Sequence, residues 1–77
     1  MSSSSPAPGP HPLIGVRAVV TTSIPAGGLG EVRVPHRGGT ETFGALGVNR
    51  GIAIPAGSRV TVVEVHPPRT VVVTADG

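Results

Sequence analysis

Apolar and polar residues alternate with a period of two along most of this chain, the spacing of strands that turn one face to a core. Leu13–Ile24 sets Ile14, Val16, Ala18 and Val20 in one phase and Arg17 in the other. Pro25-Ala26-Gly27-Gly28-Leu29-Gly30 is a turn cluster, because glycine supplies positive φ without steric cost. Glu31–Pro35 alternates again, with Val32 and Val34 on one face and Glu31 and Arg33 on the other. His36-Arg37-Gly38-Gly39 reads as a hairpin turn. Thr40–Val48 is a third strand in which Gly44 and Gly47 mark a bend or bulge. Asn49-Arg50-Gly51 turns the chain, and Ile52–Gly57 crosses to the next element. Ser58–His66 and Thr70–Asp76 carry the strongest strand patterns, joined by Pro67-Pro68-Arg69. No window supports a helix of about ten residues.

The first dozen positions have a different texture. Residues 1–12 are rich in Ser and Pro, with prolines at 6, 8, 10 and 12. Proline removes backbone donors and biases each preceding residue toward extended geometry. With little apolar surface to bury, residues 1–12 are expected to form a disordered or polyproline-like tail, and 13–77 a single domain.

Composition sharpens the fold class. The apolar set holds thirteen Val against three Leu and four Ile, which favours pleated surfaces over helices. Five short strands bury little as an open sheet, whereas a closed barrel hides its edges and fills its interior with small branched side chains. An all-β five-stranded barrel follows, with an SH3-like barrel as the other closed arrangement. The tetrapeptide Ile24-Pro25-Ala26-Gly27 recurs as Ile54-Pro55-Ala56-Gly57. A repeat architecture needs three or more units to bury a shared core, so two copies read as two similar turns leading into strands.

Charge and cysteine content remove several functions. There is no Cys, which excludes a disulfide framework and any thiolate zinc site. No apolar run approaches the ~20 residues that span a bilayer, and the N-terminus lacks the pattern of a signal peptide. The sequence pI is about 11.3, yet the net charge is only +2. With no Lys, Tyr or Cys, little titrates between the histidines and arginine, so a small surplus persists to high pH. The pI therefore does not imply a strongly basic surface.

Residues 13–75 resemble the C-terminal soluble domain of the NfeD-like family, an OB-type barrel usually attached to membrane segments. The resemblance rests on Gly15, the Ile24-Pro25-x-Gly27 turn, Gly30-Glu31-Val32-Arg33-Val34 and Phe43-x-Ala45. It continues through Ile54-Pro55-Ala56-Gly57-Ser58-x-Val60-x-Val62-Val63-x-Val65 to Thr70-Val71-Val72-Val73. It implies that the aromatic-x-Ala pair, here Phe43 and Ala45, faces the barrel interior. Leu46 and Val48 then also turn inward only if the strand bulges near Gly47. Val60, Val62, Val63 and Val65 change phase within one strand, which requires either burial on both faces or a bulge at Val62-Val63. Family members normally carry membrane helices before this domain, some with a serine–lysine protease domain before those; these 77 residues contain neither.

The candidate chemistry points away from catalysis. His11 falls in the tail, and His36 and His66 sit beside Gly or Pro turns. Ser58–His66 or Ser23–His36 pairs, with Glu64 or Glu31, are arithmetically available but lack the strand-to-helix elbow of a nucleophile. Neither a cofactor nor a metal is expected. Single-stranded nucleic acid is the competing ligand, because OB barrels bind it on strands two and three and their flanking loops. That face needs basic grooves and aromatic platforms. Here Arg33 and Arg37 are set against Glu31 and Glu41, and Phe43 is the only aromatic. The resemblance instead implies a non-catalytic protein-interaction module, at the cytoplasmic face of a membrane or in the cytoplasm, helping stomatin- or flotillin-like scaffolds assemble. Its candidate contact residues are Arg17, Arg33, Arg37, Arg50 and Arg59. Leu29 and Ile52 would plug a barrel end or extend the docking surface.

Overall fold

The computed structural model describes residues 12–36 and 38–76. The expected tail, apart from Pro12, and Arg37 lie outside the described residues. The strands are β1 (Arg17–Thr22), β2 (Gly30–His36), β3 (Gly39–Gly47), β4 (Arg59–His66) and β5 (Thr70–Ala75). They close into a barrel in the order β1-β2-β3-β5-β4. Among the described residues β3 and β5 run parallel and the other four strand pairs antiparallel. This is an OB-type barrel, the all-β fold expected from the valine-rich alternation and the resemblance.

Each strand sends two side chains into the interior: Ala18 and Val20, Val32 and Val34, Phe43 and Ala45, Val60 and Val62, Val71 and Val73. Leu13 closes one end of this core, and Ile24 with Ile54 closes the other. Burying a Val or Ile side chain is worth about 1.5–3 kcal/mol, so a narrow barrel of small branched residues gathers its stability from many similar increments.

The first strand begins later than the periodicity suggests. Leu13–Val16 is a turn closed by the Val16 amide donating to the Leu13 carbonyl at 3.1 Å. Ile14 is consequently exposed, and only Ala18 and Val20 of its phase are fully buried.

Both phase problems resolve. On β4, Val62 pairs with Val73 and Glu64 with Val72, leaving Val63 as the extra residue of a bulge. Val60 and Val62 therefore point inward and Val63 outward. On β3 no bulge intervenes: pairing with β5 runs unbroken from Gly44 to Gly47, Leu46 is half-buried and Val48 is exposed. Phe43 and Ala45 hold the interior phase.

The repeated tetrapeptides pair with each other. Ile24 and Ile54 exchange both backbone hydrogen bonds at 2.8 Å, forming an isolated antiparallel bridge. Each is followed by a turn, closed by the Gly28 amide to the Pro25 carbonyl and by the Ser58 amide to the Pro55 carbonyl. Gly27 at φ 71° and Gly57 at φ 91° supply the positive φ of a type II turn. The echo thus marks two matched turns that lock one barrel end.

A second bulge, at Thr21, crowds the start of β2. A Cβ on Gly30 would lie 2.6 Å from the carbonyl oxygens of Thr22 and Ser23 and 2.7 Å from Ile24 Cγ1. Gly30→Ala should therefore cost about 2 kcal/mol or more, and Ile24→Ala, which empties the sealed end, about 2–5 kcal/mol. Val63→Thr, on the outer side of the bulge, should stay within about 0.5 kcal/mol. Urea unfolding followed by far-UV circular dichroism checks all three.

Candidate interaction surface

Alternation on β1 turns Arg17, Val19 and Thr21 outward while Ala18 and Val20 fill the core. Val19 pairs with Arg33 on β2 and with Arg59 on β4. The barrel's closure thus builds one cross-strand row, Arg33–Val19–Arg59, whose neighbours stand about 5 Å apart. Thr42 of β3 extends it beyond Arg33. Arg17, one pleat away, faces Thr61 across the seam, and Pro35 pairs with Thr40. Arg17, Arg33, Pro35, Thr40 and Arg59 line an open groove of about 330 Å³ that runs over Ala18 and Val19. Val19 remains 43% exposed between its two arginines.

The charges on this face are unevenly paired. The Arg17 side chain lies 3.8 Å from Asp76, whose carboxylate also accepts a 2.9 Å hydrogen bond from the Thr61 hydroxyl. Among the described residues the guanidinium groups of Arg33 and Arg59 have no hydrogen-bond or ion-pair partner. Glu31 shares the outer face of β2, and its carboxylate accepts from the Thr22 hydroxyl at 3.0 Å. Glu41 does not share it. The expectation that Glu41 offsets Arg33 fails because Glu41 pairs with Val34 and occupies the same inward phase as Phe43 and Ala45. At the start of β3 the barrel opens, so this carboxylate is half-buried at the rim, 3.5 Å from His36 Nε2 and 3.4 Å from Arg69.

The remaining sequence candidates lie elsewhere. Arg50 donates at 2.9 Å to the Gly27 carbonyl and ties two loops together at the end sealed by Ile24 and Ile54. Arg69 lies 5.7 Å from the centre of the Phe43 ring and donates to the Thr42 carbonyl at 3.3 Å. Leu29 and Ile52 are 59% and 58% exposed, so neither plugs a barrel end; Ile24 and Ile54 do so instead. Of the five candidate arginines the fold brings together Arg17, Arg33 and Arg59, sets Arg50 apart, and leaves Arg37 outside the described residues.

The possible catalytic pairs do not converge. Ser58 precedes β4 and His66 ends it, roughly 25 Å apart at strand spacing. Ser23 packs by Gly30 at the start of β2, whereas His36 ends that strand. His66 Nε2 lies 3.3 Å from Glu64 in solvent. Among the described residues no three His, Asp or Glu side chains group to hold a metal ion. Phe43, 7% exposed beneath Arg69, presents no open face for stacking a base. Among those residues no helix is long and apolar enough to cross a membrane.

Residues 17–74 match the NfeD C-terminal domain. None of the curated proteins matches the chain. The soluble domain of the NfeD protein YuaF from Bacillus subtilis is 31% identical, with 79% of this chain and 70% of that one covered and a TM-score of 0.69. The C-terminal domain of stomatin operon partner protein 1510-C from Pyrococcus horikoshii is 26% identical, covering 90% and 95%, with a TM-score of 0.71. The soluble domain of a Corynebacterium glutamicum membrane protein implicated in regulation of membrane protease activity is 26% identical, covering 79% and 87%, with a TM-score of 0.66. Matched to the family over residues 17–74 and similar in structure to these domains over most of its length, the chain belongs to the NfeD C-terminal domain family.

Proposed function

We propose that this domain is a non-catalytic protein-interaction module that helps a stomatin- or flotillin-like membrane scaffold assemble, acting in the cytoplasm or at the cytoplasmic face of the membrane. The observation that carries the reading is the Arg33–Val19–Arg59 row, two unpartnered guanidinium groups straddling an exposed apolar side chain. Surface patches that combine arginine with apolar area suit protein contacts, where arginine is enriched and lysine depleted. The likeness to a stomatin operon partner supports the choice of scaffold. The reading requires no cofactor.

Tagged chain, co-expressed with the stomatin- or flotillin-like protein of its own organism and purified from detergent-solubilised membranes, should retain that protein through washing. Recovery of nucleic acid without any membrane protein overturns the proposal. The OB-type alternative has its own measurement. Fluorescent poly-dT and poly-U should bind no tighter than ~10⁻⁴ M at physiological salt, the weak end of non-specific contacts. Sub-micromolar binding with a salt slope of several units, flattened by Arg33→Ala, transfers the function to single-stranded nucleic acid.

A further inference from the structure

We infer that the groove along the outer face of β1 receives an acidic polypeptide segment of the partner, with an apolar side chain set between its carboxylates. This deepens the interaction-module reading and rests on it. The starting point is how the arginines are distributed. Arg50 and Arg69 donate within the chain, and Arg17 shares Asp76. The free guanidinium groups of Arg33 and Arg59 flank the same residue, Val19. Their strands are each one sheet spacing from β1, which separates the two Cα atoms by about 10 Å. Like charges gathered on one face repel, and no carboxylate among the described residues lies within ion-pair distance of either. An external anion would.

The shape and lining select the kind of anion. Guanidinium groups match carboxylates through paired hydrogen bonds, and they lose less rotamer entropy per bond than lysine. Asp76 already brings one carboxylate to the rim, 3.8 Å from Arg17 and hydrogen-bonded by the Thr61 hydroxyl. Between the arginines the floor is aliphatic, Val19 flanked by Pro35, and asks for an apolar side chain. A bilayer surface is a poorer fit, because a plane of headgroups does not fill a concave groove of about 330 Å³. Three arginines also give only about 1 kcal/mol each toward anionic lipid. Nucleic acid lacks its stacking partner, since Phe43 is buried under Arg69.

The test is a titration of the ¹⁵N-labelled full chain with a capped oligoglutamate peptide bearing one central leucine. The amides of Val19, Arg33 and Arg59 should shift together. The double variant Arg33→Ala/Arg59→Ala should weaken binding about tenfold, as expected for two exposed charge-assisted contacts. Arg50→Ala, at the far barrel end, should leave binding unchanged, and retained amide dispersion shows that each variant is folded. Three results overturn the inference: no shift with the peptide, shifts centred away from Val19, or the same amides responding at lower concentration to phosphatidylserine vesicles or poly-dT. The titration needs no native partner, so it is separable from the co-purification. A double variant that still retains the membrane scaffold defeats this groove alone, whereas wild type that retains none defeats the module reading.

Discussion

The seam between β1 and β4 turns a five-stranded sheet into a barrel, and both the core and the outer surface depend on it. Arg17, Ala18 and Val19 pair directly with Thr61, Val60 and Arg59. Flanking backbone bonds lengthen the contact: Val62 to Val16 and Gly15 to Val62 on one side, Val20 to Ser58 and Gly57 to Val20 on the other. Leaving this seam open would expose two strand edges and unpaired backbone groups, a costly state for any sheet. Closing it sets Val60 beside Ala18 inside. The same register sets Arg59 beside Val19 outside. One geometric constraint therefore fixes the packing and assembles the arginine row.

Closure at so small a radius requires bends, and the chain obtains them with single extra residues. The bulge at Val63 lets β4 stay paired with β5 from Val60 to His66 while Val60 and Val62 face the interior and Val65 is half-buried. The bulge at Thr21 swings the chain over Gly30, where only hydrogen fits under the Thr22 and Ser23 carbonyls. The Ile24–Ile54 bridge and its two glycine turns then cap the same end. Without a cysteine in the sequence, this cap is held by backbone hydrogen bonds, apolar contact and the Arg50 side chain's bond to the Gly27 carbonyl.

Local pattern made the strands, the turns and the Val32 and Val34 burial on β2 legible, because each depends on neighbours within a few residues. The start of β1 was less so, since Gly15 ends a turn inside an unbroken apolar run. The phase change on β4 was visible as a contradiction in alternation, but only strand pairing distinguishes a bulge from burial on both faces. Glu41 shows the same limit more sharply. It shares a phase with Phe43 and Ala45, so the fact that buries those two also removes Glu41 from the outer face. The grouping of Arg17, Arg33 and Arg59 is the least local feature, because the three come from three strands and meet only through register.

Register also explains why overall charge is a poor guide to this surface. A net charge of +2 over six arginines and four carboxylates suggests even dilution. The fold instead sorts the charges by task. Glu41 draws in Arg69 and lies by His36 at one barrel end, Arg50 ties loops at the other, and Glu64 lies beside His66 in solvent. Asp76 takes Arg17, and Glu31 is engaged by Thr22. With the described carboxylates so placed, Arg33 and Arg59 are left without an ion-pair partner among the described residues, on either side of an exposed valine. At about 8 Å of screening length in physiological salt, a partner senses this pair and its immediate neighbours rather than the net charge of the whole domain. A nearly neutral barrel can thus present a locally cationic, partly apolar face, produced by the same seam that closes its core.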